Sequence, residues 1–284
     1  MKKAILSILA ISALVFSSCD RIENENRLIF SGAVGEWYDG SPVEDHTHRA
    51  LLEKYTGVRC VNCPNADIEI SNALQHFGHS LIAVSIHDSC TFTRPYEGDP
   101  DMRTPDGNEL SHFFGVFNGD YPNALVSRTK KTTGEWDLFT PTAGVDSHVE
   151  PIVNAPTTIA LDVTAQAVDN DGNITIKASI EFLESCSDTL ALTLFVMEDG
   201  IIASQLSKEG KINGYVHNHI LRDIITDWQG TEIKADGNAG ECRYAIFQYK
   251  IDTTLWNPEN CHIVAFVSNK NTMLVLNAAE CSIE

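Results

Sequence analysis

The sequence is poor in basic side chains: 20 Lys and Arg stand against 39 Asp and Glu among 284 residues, for a net charge of -19. A chain this acidic lacks the positive surface that engages nucleic-acid phosphates, and anionic lipid headgroups repel it. It also lacks any apolar run of 18 residues beyond its N-terminus, which excludes a bundle of membrane-crossing helices. No internal repeat is apparent, and no nucleotide or cofactor motif stands out, so no cofactor is expected. Hydrophobic residues at 43% are enough for a folded core, and wholesale disorder is excluded. Cysteine is not scarce. Eight of them are many for a reducing cytosol and point to an oxidising compartment.

The N-terminus agrees with that compartment. Lys2 and Lys3 precede an apolar stretch from Ala4 to Phe16, and then come Ser17, Ser18 and Cys19. This is the pattern of an export leader, which is excluded from fold reasoning. A small pair directly before a cysteine resembles a relaxed bacterial lipobox. That resemblance implies cleavage before Cys19, lipidation of Cys19 and membrane attachment through several acyl chains, where a single chain would hold only weakly. Residues 1–18 are therefore expected to be the signal peptide and 19–48 a polar tether.

Two halves with different periodicities follow. Over 49–150, Leu51 to Tyr55 is a short strand candidate. Ala66, Ile70, Ala73, Leu74 and Phe77 share one helical face that ends at Gly78, and Leu81 to Ile86 is the unbroken apolar run of a strand buried on both sides. A helix over Asp106 to Val116 and a strand over Ala124 to Ser127 complete a β-α-β-α-β order, the sign of an α/β domain. Prolines 151 and 156 bracket a linker. Beyond it, over 151–284, the period becomes two. Ile159 to Ala165 and Ile174 to Phe182 alternate apolar with polar residues, around the turn signal Asp171-Gly172. Further strands are expected at 191–196, 243–251, 262–267 and 273–277, together an immunoglobulin-like β-sandwich. Ile220, Leu221, Ile224, Ile225 and Trp228 read as one helical face, with Asn218 capping it.

The chemistry sits at Cys60-Val61-Asn62-Cys63-Pro64, between the first strand and the first helix. At a helix N-terminus the unpaired N–H groups and the macrodipole favour a thiolate, and Pro64 suits the first helical turn. Cys60 is expected to be the accessible nucleophile and Cys63 the shielded resolving thiol. A structural disulfide is the alternative. Zinc would need a second ligand pair, and His217 with His219 is an incomplete set, so no metal site is expected. Asp169 to Asn173 departs from a calcium loop at its sixth and twelfth positions and reads as a hairpin turn. Cys261 and Cys281 open and close the last hairpin, nearly opposite each other around a turn near Lys270-Asn271, which predicts a disulfide. Cys186 and Cys242 then pair by elimination, leaving Cys90 alone.

Residues 49 to 146 resemble a thioredoxin-like domain, with Tyr121-Pro122 where that fold carries its cis-proline. More closely, Leu51 to Gly57 leading into Cys60 to Pro64, Arg103-Thr104, Gly107 to Leu110, Phe114 to Val116, Tyr121-Pro122 and Tyr215 to His219 resemble the outer-membrane-protein-28 family of lipoproteins. The resemblance implies a lipid-anchored envelope protein with a thioredoxin-like domain followed by a β-sandwich. Pro122 would shape the groove for a partner that forms a mixed disulfide with Cys60. The sequence departs from active thioredoxins at Arg59, which replaces Trp, and at Val61-Asn62. Lys54 occupies the place of the buried acid, with Glu53 beside it. Two functions stay open: an outer-membrane-associated lipoprotein with thiol-disulfide chemistry, or a binding lipoprotein in which Cys60–Cys63 only holds a loop.

Overall fold

The computed structural model describes residues 36–117, 119–167 and 169–284. The leader and the lipidation site at Cys19 lie outside the described residues. Strand β1 is Tyr38–Asp39 and β2 is Ala50–Tyr55. Helix α1, Cys63–Phe77, starts with Pro64 in its first turn, buries Ala66, Ile70 and Ala73, and ends at Gly78. Strand β3 spans Leu81–Ile86 and is buried at every position. Helix α2, Pro105–Phe113, is capped by Thr104, whose side chain accepts the Gly107 N–H at 2.8 Å. Strand β4 is Asn123–Val126 and helix α3 is Val145–Val153.

The second half adds β5 (Ile159–Ala167), β6 (Asn173–Phe182), β7 (Leu190–Glu198), β8 (Ile201–Ser207) and β9 (Gly210–His217). It closes with β10 (Ile220–Ile224), β11 (Thr231–Glu232), β12 (Cys242–Lys250), β13 (Cys261–Asn269) and β14 (Val275–Ser282). One sheet runs β14-β13-β7-β10-β3-β2-β4, with β11 also on β7, and a second runs β1-β12-β6-β5. Alternating residues of β5, β6 and β12 meet β7 and β13 in one core, the inner layer of a two-sheet stack. A separate core fills one side of the β2–β3 region, from Leu51 and Tyr55 to Phe195 and Phe266. The protein is thus an α/β segment joined to a β-rich one. They share a sheet, because β10 pairs with β3 in parallel through Ile220 and Ser85.

Three expectations fail here, each for a physical reason. Ile220 to Ile224 is a strand, because β10 lies between β7 and β3 and is buried on both faces, where apolar periodicity carries no strand signal. Asn218 instead accepts the Gly200 N–H. Helix α3 runs into the expected linker as far as Val153: Val145 and Val149 lie one turn apart and bury together, Pro151 is tolerated within the helix, and only residues 154–156 of the linker are non-helical. The cysteine pairings do not form. Cys90, Cys186, Cys242, Cys261 and Cys281 are free thiols. The β13–β14 register sets Cys281 opposite Ile263, two positions from Cys261, and the bulge between Val267 and Ser268 supplies one of those two. Cys242 faces Glu181 across the β6–β12 ladder, whereas Cys186 lies beyond β6 with its N–H on the Gly237 carbonyl. The Asp169 to Asn173 turn is as expected, with the Asp169 carboxylate accepting the N–H groups of Asp171 and Asn173.

Candidate functional site

Strand β2 leaves the sheet at Thr56, and the chain must turn tightly to reach α1. Gly57 makes this possible: a Cβ there would lie 2.4 Å from the Phe92 carbonyl oxygen. The Arg59 N–H donates to that carbonyl at 2.8 Å, and the Arg59 guanidinium lies over Tyr96, 4.0 Å from the ring centroid. Its Nε donates to the Arg94 carbonyl at 2.7 Å. The charge before the first cysteine is therefore engaged by this loop.

Cys60 and Cys63 form a disulfide at the N-terminus of α1. Both are buried, Cys60 being 2% exposed and Cys63 0%. The accessible first cysteine expected from a strand-to-helix motif is therefore absent. The β8–β9 hairpin from the second half of the chain is bonded to this loop. The Gln205 amide, itself buried, donates to the carbonyls of Cys60 at 3.0 Å, Leu206 at 3.0 Å and Gly57 at 3.3 Å, and the Leu206 N–H donates to the Val58 carbonyl at 2.7 Å. Tyr121-Pro122 is cis, and Pro122 is buried beside Tyr121, which joins Cys60, Cys63 and Cys90 in one buried cluster. The Tyr121 hydroxyl donates to Asp88, and burial raises both its pKa and that of the Cys90 thiol.

The same hairpin forms the wall of a polar cleft of about 330 Å³ against α1 and β3. Lys54 pairs with Asp67, and the Tyr215 hydroxyl donates to the other Asp67 oxygen at 2.7 Å. Deeper in lie His87, 1% exposed, and His217, 5% exposed, with ring centroids 6.4 Å apart. Both nitrogens of His87 and Nε2 of His217 are buried without a partner among the described residues. Burial pushes the His87 pKa well below its ordinary value; it takes His217 down to about 4, against the pull of the Asp67 carboxylate. Two neutral imidazoles thus offer unused donors and acceptors to a cleft with a charged rim. Such an arrangement suits a small polar ligand.

Glu53, a candidate for the buried acid, has another role. It and Arg128 are 0% and 1% exposed, joined by two hydrogen bonds of 2.8 Å, with the guanidinium over Phe114 and Phe266. That pairing occupies its carboxylate. Sequence reasoning missed Gln205 and His87. His87 directly follows the apolar run of β3, the place where a polar side chain reaches the end of a buried strand, and that was the available signal. Gln205 carried none.

The chain matches the family model described as outer membrane protein Omp28 over residues 111–284, more than half its length. A search of curated proteins finds no match. Among solved structures it is similar to HBP35 of Porphyromonas gingivalis, with 19% identity over 84% of this chain and 76% of that one, at a TM-score of 0.64. It is also similar to AGR_C_4864 of Agrobacterium tumefaciens, with 10% identity over 83% of this chain and 95% of that one, at a TM-score of 0.50. At these identities the likeness is one of fold. A domain of the outer membrane lipoprotein Omp28 from Porphyromonas gingivalis matches at 19% identity and a TM-score of 0.33, over 45% of this chain and 89% of that one. The chain belongs to the outer membrane protein Omp28 family, and its place is the outer membrane.

Proposed function

We propose that this protein is a lipid-anchored binding protein of the outer membrane, in which the Cys60–Cys63 disulfide is a structural clamp. The polar cleft between α1, β3 and β9 is its ligand site. The observation that carries the reading is the hairpin bonded to the disulfide loop. One hairpin bonds the disulfide loop through Gln205 and Leu206 and at the same time supplies Tyr215 and His217 to the cleft. The clamp fixes the start of α1, and α1 carries Asp67, so disulfide and cleft form one mechanical unit. The anchor is the lipidated Cys19. A fatty-acid probe should label the wild type and fail to label Cys19→Ala.

A second reading keeps thiol-disulfide exchange, and Tyr121 in one buried cluster with the cysteine pair and Cys90 favours it. In that reaction the Cys60 thiolate of the reduced protein attacks a partner disulfide and releases one partner thiolate. Cys63 then attacks the mixed disulfide and releases the second. The protein is oxidised by two electrons and the partner is reduced. Alkylation separates the readings. After reduction, the clamp reading has Cys60 reacting with iodoacetamide more slowly than glutathione, and Cys63→Ser trapping no envelope protein. Faster reaction together with a trapped mixed disulfide would replace the clamp with exchange.

A further inference from the structure

His219 was left by its sequence neighbours without enough ligands for a metal, and the fold supplies the rest from elsewhere. Glu198 at the end of β7 pairs with Ile220 of β10 on one side and Cys261 of β13 on the other. The next positions outward are Asp199 and His219, and His262 stands one position inward on β13, opposite Met197. Their ligand atoms all lie within 4.8 Å of one another. The Asp199 carboxylate stands between the two rings, with Oδ1 3.6 Å from Nδ1 of His219 and Oδ2 3.9 Å from Nδ1 of His262. These separations exceed ordinary hydrogen bonds and approach the roughly 3.3 Å between neighbouring ligands on a tetrahedral ion with bonds of about 2.0–2.1 Å.

We infer that Asp199, His219 and His262 form a binding site for a divalent first-row transition ion of the zinc type. Two imidazoles and a carboxylate are the donor set such ions take, in preference to the oxygen-only sets of calcium and magnesium. The backbone holds the three donors independently of any ion. His219 sits in the left-handed region at φ 59, its N–H on the Asp199 carboxylate and its carbonyl accepting the Ser85 N–H at 2.6 Å. The Asp199 N–H donates to the Asn260 carbonyl at 3.0 Å, and His262 is fixed in β13 between Met197 and Ser282. The three line an open cavity of about 540 Å³ together with Glu280. There is room for an ion to enter, and water can complete four-coordination. The site lies apart from the disulfide and does not depend on the ligand reading of the polar cleft, although His219 borders both cavities.

The test uses the mature full chain, stripped with a chelator and titrated with Zn²⁺ alone by calorimetry. One ion per chain is expected. His262→Ala and Asp199→Asn should each weaken binding by more than about a hundredfold, beyond the loss typical of an outer-shell partner. His79→Ala, in the same cavity but outside the triad, should leave it unchanged. Protection of the wild-type protein covers the case in which a variant misfolds. Zn²⁺ should shield His219 and His262, and not His79, from diethylpyrocarbonate. Absence of a stoichiometric site in the wild type, equal affinity in folded variants, or equal modification of His219 and His262 with and without Zn²⁺ would overturn the assignment.

Discussion

Two buried polar regions flank the β2–β3 strands, and they are built on opposite terms. On one side Glu53 and Arg128 are enclosed and joined by two hydrogen bonds of 2.8 Å, with two aromatic faces around the guanidinium, and Arg128 Nη1 is the one guanidinium nitrogen without a partner among the described residues. On the other, His87 and His217 are almost as deeply buried, yet three of their ring nitrogens have no partner among the described residues. Partnered burial specifies a fold, whereas unpartnered burial at the base of a cleft costs stability and is what a binding site leaves for its ligand. The contrast separates structure from function within one molecule.

The sharpest break of that contrast is Glu53→Ala, which strands the Arg128 charge in the core and should cost about 3–5 kcal/mol in denaturant unfolding. His87→Leu, at similar depth, should be neutral or stabilising, because it removes nitrogens that nothing satisfies. A loss as large as that of Glu53→Ala would mean that His87 is structural. Replacing both Cys60 and Cys63 with Ala should cost about 2 kcal/mol, the chain-entropy effect of a very short closed loop.

The acid limb of the stability curve sharpens the comparison next. His87 is held neutral well below its ordinary value of 6.5, so the unfolded chain takes up a proton that the fold refuses. Its contribution is complete above about pH 6.5 and is lost as pH falls below it, with a slope of up to about 1.4 kcal/mol per pH unit. His87→Leu should flatten that limb in pH-dependent unfolding. The smallest effect is that of Gln205→Ala. It leaves the Cys60 and Gly57 carbonyls without that donor and should cost about 1 kcal/mol in denaturant unfolding. In the reduced protein it should also raise the alkylation rate of Cys60.

What the sequence disclosed follows the same division. Leu81 to Ile86 and the alternating runs 159–167 and 173–182 were readable because burial on one or both faces of a sheet writes itself into local pattern. Cys60-Val61-Asn62-Cys63-Pro64 was readable as a strand-to-helix junction, and the turn at Asp171-Gly172 as a turn. The hairpin bonded to the disulfide loop was not. Its strands form a separate two-stranded sheet, and Ile202, Ile212 and Val216 face solvent, so apolar and polar positions do not sort into inside and outside. The cleft draws on positions 54, 67, 87, 215 and 217, and the triad on 199, 219 and 262. Such convergence is a property of strand order, which sets β10 against β3 and β7, and no local spacing encodes it. The Cys261–Cys281 expectation failed over register, which the turn sets one residue off and a bulge shifts by one more without leaving a sequence signal.

The central claim is that the disulfide is a clamp in a loop bonded to the β8–β9 hairpin. The reduction potential of the Cys60/Cys63 pair in the mature protein tests it most directly. A buried bridge held by the packing of a second segment resists reduction, and the account predicts a value below about -300 mV. A value between roughly -270 and -120 mV, the range of working dithiol oxidoreductases, would contradict it.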